Sequence, residues 1–172
     1  MKPRWAGLHR ALTRRRDDPL VRRPLLSLLL VASLAGCTNG APPAGAASAA
    51  AASVTIDVSL TSAPTAATAY GSGGGFAPLV TTVPVGTTVR FVNVDSFAHT
   101  ATSLSAATFP AASPFAGSAQ ITSGGTLSGG WSSGTLGAGT GSQALIADKA
   151  GTYLYGCFFH YGAPMRGAII VK

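Results

Sequence analysis

Histidine, cysteine and methionine are scarce in this chain of 172 residues, with three, two and two of each. Two cysteines, Cys37 and Cys157, exclude a disulfide framework. They allow one bridge at most, and separate uses for the two thiols are the preferred assignment. No stretch sustains a helical apolar period over about twelve residues, which argues against a helical bundle. The N-terminal apolar run, PLLSLLLVASLAG from Pro24 to Gly36, is only thirteen residues long. That is short of the roughly 20 a membrane-spanning helix needs. Acidic residues are few as well: Asp17, Asp18, Asp57, Asp95 and Asp148.

The formal charge of +7 looks like that of a protein with an anionic partner, but eight of the twelve basic residues lie at or before Arg23. From Cys37 onward Arg90, Lys149, Arg166 and Lys172 face Asp57, Asp95 and Asp148, a net of 4 − 3 = +1. No basic stripe remains, so nucleic acid is excluded as a partner.

A charged segment, residues 1–23, followed by a thirteen-residue apolar run has the form of an export signal. The run ends in Leu34-Ala35-Gly36-Cys37, which resembles the bacterial lipoprotein box. Residues 1–36 are thus expected to be a signal peptide, with Cys37 as the lipidated first residue of the mature chain. An ordinary signal peptide with a chance cysteine is the competing reading. Arg22-Arg23-Pro24-Leu25-Leu26 also fits a loose twin-arginine pattern. Residues 37–53, rich in Ala, Gly, Pro and Ser, cannot bury enough surface to offset their ordering entropy and read as a flexible tether.

From Val54 to Lys172 the pattern is that of short strands. Val54, Ile56, Val58 and Leu60 alternate with Thr55, Asp57 and Ser59. In the run Thr88–Asn93, Val89, Phe91 and Asn93 fall on one side. Strands are also expected over 131–136, 141–147, 151–157 and 168–171, with a low-complexity loop over 61–75 and irregular structure without a helix over 102–130. Seven or eight short strands with Gly and Pro turns predict an all-β sandwich.

The chemistry concentrates in the last stretch, AGTYLYGCFFHYGAPMRGAIIVK. Cys157, His160 and Met165 stand in the spacing C-x2-H-x4-M within one short loop between two strands. A thiolate, an imidazole and a thioether are donors that copper favours, and a second imidazole would complete the His2Cys-plus-Met set of a blue-copper centre. His9 lies in the export segment, which leaves His99, just past TTVRFVN, as the only candidate. Separately, a lone Cys or Met more often fills a core. Jointly and in this order they point to a metal site.

On these residues the chain from about Val54 to Lys172 resembles the cupredoxins, most closely the plastocyanin and amicyanin group. The matching elements are VPVGTTVRFVNVD followed by His99, the SSGTL segment, and AGTYLYGC leading into the ligand loop. The resemblance implies a Greek-key β-sandwich and one copper ion held by His99, Cys157, His160 and Met165. It implies single-electron transfer between transient protein partners by a monomer that is not an enzyme, with no open coordination position for a substrate. Asn93 and Asp95 are candidates for pinning the ligand loops. Thr100 stands where the family commonly has Asn, with fewer hydrogen bonds to offer. The electron port implied by the family is the edge of His160, rimmed by Phe97, Phe159, Tyr161 and Pro164, with Phe158 expected in the core. Gly156 occupies the place of the aromatic that gives plastocyanins a second exit. With the lipobox, the expectation is an exported copper protein anchored to a bacterial membrane through Cys37. A copper carrier or scavenger is the alternative, and a metal-free adhesive sandwich a more distant one.

Overall fold

The computed structural model describes residues 51–172; the export segment, Cys37 and nearly all of the tether lie outside the described residues. Within them twelve strands follow in order: β1 (Ser53–Val58), β2 (Ala66–Thr68), β3 (Gly71–Gly73), β4 (Phe76–Ala77), β5 (Val80–Val83), β6 (Thr88–Asn93), β7 (Thr102–Leu104), β8 (Thr122–Ser123), β9 (Ser132–Ser133), β10 (Leu145–Ile146), β11 (Gly151–Gly156) and β12 (Arg166–Val171). They build two facing sheets, ordered β10-β6-β1-β4 and β5-β12-β11-β7-β9-β8, plus the separate hairpin β2-β3. Two parallel pairs, β1 with β6 and β12 with β5, show that the chain crosses between sheets rather than meandering. The result is a Greek-key β-sandwich.

The period-2 alternation determines which side chains meet. Ile56 and Val58 of β1 and Val89, Phe91 and Asn93 of β6 turn inward and are wholly buried, with Ile56 opposite Phe91 in the register. From the other sheet Tyr155 and Ile169 close the core. Phe91 stacks on Trp131 at 5.2 Å, and Tyr155 meets Phe76 and Phe91 edge-on at 4.8 and 5.0 Å. Each large apolar side chain so buried contributes about 1.5–3 kcal/mol.

Strands outnumber the seven or eight expected because several are pieces of two or three residues. The expected strands over 131–136 and 141–147 shrink to Ser132–Ser133 and Leu145–Ile146. Gly134, at φ +66°, turns the first of them away from extended geometry. The segment 61–75, expected as a loop, contains the β2-β3 hairpin, closed by Thr68, whose hydroxyl donates to the Gly71 carbonyl. Tyr70 beside it packs with Phe109, Leu154 and Ala168 into a second small cluster on the outer face of the larger sheet. Residues 102–130 hold two short strands and a single 3-10 turn, Gly117–Gln120.

Candidate metal centre

Cys157 follows directly on β11, and the loop to β12 is short and closed on itself. The Cys157 N–H donates to the Met165 carbonyl at 3.0 Å, and the Met165 N–H donates to the His160 carbonyl at 3.2 Å. This folds His160 back over Cys157. His99 arrives from the connection between β6 and β7, which crosses from one sheet to the other at the same end of the sandwich. Its own backbone is held by a two-way bridge to Leu136.

The two imidazoles and the thiol converge. His99 Nδ1 lies 3.8 Å from Cys157 Sγ, His160 Nδ1 lies 3.7 Å from the same sulfur, and the two nitrogens are 3.2 Å apart. All three atoms fall within 4.8 Å of one another. Metal–nitrogen and metal–sulfur bonds of about 2.0 and 2.3 Å in a roughly trigonal set place donors about 3.3–3.8 Å apart. The three residues therefore fit one metal ion of this size. Cys157 and His99 are fully buried, His160 half-buried. Met165, also fully buried, belongs to the same core cluster as Cys157.

Asp95 decides which nitrogen of His99 is free. Its Oδ2 stands 2.9 Å from His99 Nε2 and also accepts the Leu60 N–H, while Oδ1 accepts the hydroxyls of Ser59 and Thr61. A carboxylate only accepts, so Nε2 carries the proton and Nδ1 presents its lone pair to the site. Burial works to raise the Asp95 carboxyl, but the hydrogen bonds from Thr61, Ser59, His99 and the Leu60 backbone outweigh it and hold the group well below its ordinary range. Burial, then the neighbouring His99, lowers His160, which keeps its imidazole neutral.

The other expected partners are found as follows. Asn93 donates to the carbonyls of Phe97 and Leu136 and accepts the Asp95 N–H, so it braces the His99 loop. Asp95 reaches the ligand itself, beyond the loop-pinning role the sequence suggests. Thr100 bridges the two ligand loops despite its single hydroxyl: its N–H donates to Cys157 Sγ at 3.4 Å, and its Oγ1 accepts the Phe158 N–H at 2.8 Å. The hydroxyl and the backbone N–H of one residue thus tie the two loops together.

At the rim, Phe97 and Phe159 are exposed by 38% and 40%, and Pro164 is half-buried. The ring of Phe97 lies 5.5 Å from that of His160, edge-on, and Phe159 lies 6.2 Å away. Phe158 is half-buried rather than in the core. Tyr161 is a correction: expected at the rim, it is 1% exposed. Its ring lies where a Cβ on Gly156 would come within 2.9 Å of it, its hydroxyl donates to the Pro110 carbonyl, and Arg166 covers it at 4.1 Å. The missing side chain at Gly156 is what admits the ring.

Residues 69–172 match the family of copper-binding proteins described as the plastocyanin/azurin family. The chain belongs to that family. The family binds copper, and among the described residues His99, Cys157 and His160 form a group that could hold it. Among solved structures the copper protein is similar to a purple cupredoxin from Nitrosopumilus maritimus, at 23% identity over 69% of this chain and 98% of that one, TM-score 0.43. It is also similar to a Cu(I) amicyanin variant, at 16% identity over 70% of this chain and 82% of that one, TM-score 0.40. A Cu-containing nitrite reductase from Thermus scotoductus matches at 25% identity over 69% of this chain but only 22% of its own length, TM-score 0.42. A search of the curated proteins finds no match.

Proposed function

We propose that this copper protein is an exported, lipid-anchored carrier of single electrons, not an enzyme, with His99, Cys157 and His160 as strong copper ligands and Met165 as the weak axial one. The observation that carries the reading is the convergence of two Nδ1 atoms and one Sγ at one end of the sandwich. Bound copper supplies a Cu(I)/Cu(II) couple whose potential the axial ligand tunes. The residues do the rest. Asp95 and Thr100 fix His99 and Cys157 before the metal arrives, so the donors need little rearrangement between oxidation states. Three strong donors and a thioether leave no open position for a substrate, unlike catalytic metal sites.

His160 turns Nδ1 inward, and its half-exposed ring between Phe97 and Phe159 is the natural electron exit. Redox encounters commonly bury less than about 1,200 Å², and this flat apolar rim suits them. Of the Asp, Lys and Arg side chains in the segments framing this end, 59–65, 94–101, 134–141 and 157–166, Asp95 is buried and Arg166 is half-buried, turned onto the Tyr161 ring. Lys149 and Lys172 lie by the far ends of β11 and β12. The association rate with a redox partner is therefore expected to change by less than about threefold between low and high salt, against the 10- to 1,000-fold reach of electrostatic steering. Stopped-flow mixing across an ionic-strength series measures it.

Copper loading of the protein, with metal analysis, a visible spectrum and one-electron redox kinetics, tests the function. One copper per chain, strong visible absorption and fast reversible reduction support the carrier of electrons. Slow redox with ready metal loss would instead mark a copper-delivery protein. Leu34-Ala35-Gly36-Cys37 supports the anchor. Cys37→Ala is expected to release the protein from bacterial membranes into the soluble fraction, and an unchanged membrane fraction would refute lipidation at this residue.

A further inference from the structure

Gly75 closes the run Gly73-Gly74-Gly75 ahead of β4, far in sequence from the C-terminal loop, yet its backbone lies against Met165. A Cβ built on Gly75 would stand 2.4 Å from Met165 Cγ and 3.2 Å from both its Cβ and its Sδ. The residue holds φ +71°, a conformation that suits glycine. The strip on which it sits has no freedom to recoil. The Gly75 N–H donates to the Ala63 carbonyl at 3.1 Å, and its carbonyl accepts the Ser59 N–H at 3.0 Å. Gly74 exchanges two further bonds with Arg166, the residue after Met165, at 3.1 and 3.0 Å.

We infer that Gly75 is a positioning residue for the axial sulfur: its clamped main chain is the wall that sets where the Met165 thioether stands relative to His99, Cys157 and His160. The inference rests on the proposed ligand role of Met165. Of the two partners in this contact, the methionine is the one able to move, with three rotatable side-chain bonds against a backbone fixed on both sides. Any side chain at position 75 pushes the Met165 Cγ and swings the sulfur with it, while the three atoms nearest to that side chain are all of Met165 and none of the three strong donors. An axial ligand tunes the reduction potential of such a centre, so the wall tunes it in turn. Ser59 links the wall to the rest of the site, because its N–H holds Gly75 and its hydroxyl holds Asp95.

The test is Gly75→Ala in the full copper-loaded chain, alone and together with Met165→Ala. In the single variant the copper content is expected to stay at one per chain, while the visible band pattern, the electron-spin resonance spectrum and the reduction potential shift. In the Met165→Ala background, Gly75→Ala is expected to add no further spectral change and to cost less thermal stability than it does alone. The double variant gives this answer even if Gly75→Ala by itself does not fold. Spectrum and potential unchanged in the single variant overturn the inference, as does an equal stability loss in both backgrounds. Loss of the ligand reading looks different: Met165→Ala alone would then leave the spectrum of the otherwise unaltered protein as it was.

Discussion

Cys157→Ser abolishes the strong visible absorption of the copper-loaded protein and weakens copper binding by more than about 100-fold, beyond the cost of losing an outer-shell partner. The thiol is the one atom both imidazoles face, at 3.8 and 3.7 Å, and the Thr100 N–H donates to it. Serine keeps the shape within one atom, but its oxygen is a hard donor that stays protonated, whereas copper of either charge favours the soft thiolate. The metal-free fold is expected to survive. A buried hydroxyl costs about 1–3 kcal/mol when poorly partnered, and here it can accept the Thr100 N–H. Metal analysis paired with a thermal melt of the metal-free protein separates the two effects. A variant that keeps its visible band would remove Cys157 from the ligand set.

Asp95→Ala has the second largest effect, on both the fold and the metal. Removing the carboxylate strands four donors at once: the Ser59 and Thr61 hydroxyls, the Leu60 N–H and His99 Nε2. Each buried group left unpaired costs about 1–3 kcal/mol. Because the hydroxyls can turn and water can enter, a loss of about 3–5 kcal/mol in the metal-free protein is expected. Copper affinity falls a further 10- to 100-fold, the usual effect of losing the group that orients a ligating histidine. Asp95→Asn is milder. Its amide oxygen can still accept from His99 and Leu60, while its NH2 faces hydroxyls, which accept as readily as they donate.

Both Asp95 substitutions also show in the pH dependence of stability. The folded Asp95 carboxyl is held below its unfolded value of 3.8, so its contribution is fully present above that pH and is lost as pH falls toward the lower folded value. Acid unfolding of the metal-free protein therefore loses this component in either variant. A chemical denaturation series from pH 6 downward measures it, and an unaltered acid limb would show that the carboxylate does not carry the stability assigned to it.

Much of this architecture is legible in the sequence where side chains alternate in size and polarity. Val54, Ile56 and Val58, and Val89, Phe91 and Asn93, announce their inward faces because a pleated strand offers only two sides. The meeting of His99 with Cys157 and His160 is legible because three histidines leave almost no choice. What escapes are contacts made by backbone. The hairpin in 61–75 carries no large alternating residues, and its turn is closed by one threonine hydroxyl. Gly75 acts through the atoms it lacks, and Thr100 through its N–H as well as its hydroxyl. Tyr161 sits among exposed-looking neighbours in the ligand loop, and its burial comes from the empty place above Gly156 together with the cover of Arg166 and the bond to Pro110. The pairing of Asp95 with His99 does have a trace in the sequence: four residues apart, just past a strand, a carboxylate can curl back onto the ring.

The thiol and the thioether proposed as ligands, Cys157 and Met165, are also members of the central apolar cluster that joins the two sheets. No recess is cut into a finished sandwich here, because the sandwich closes by enclosing its own donors. Any ion that binds the folded form alone adds to its resistance to melting by mass action, so the folded chain is at its most fragile before metal uptake. A neighbour substitution that retunes the electron must also be one the interior can still pack.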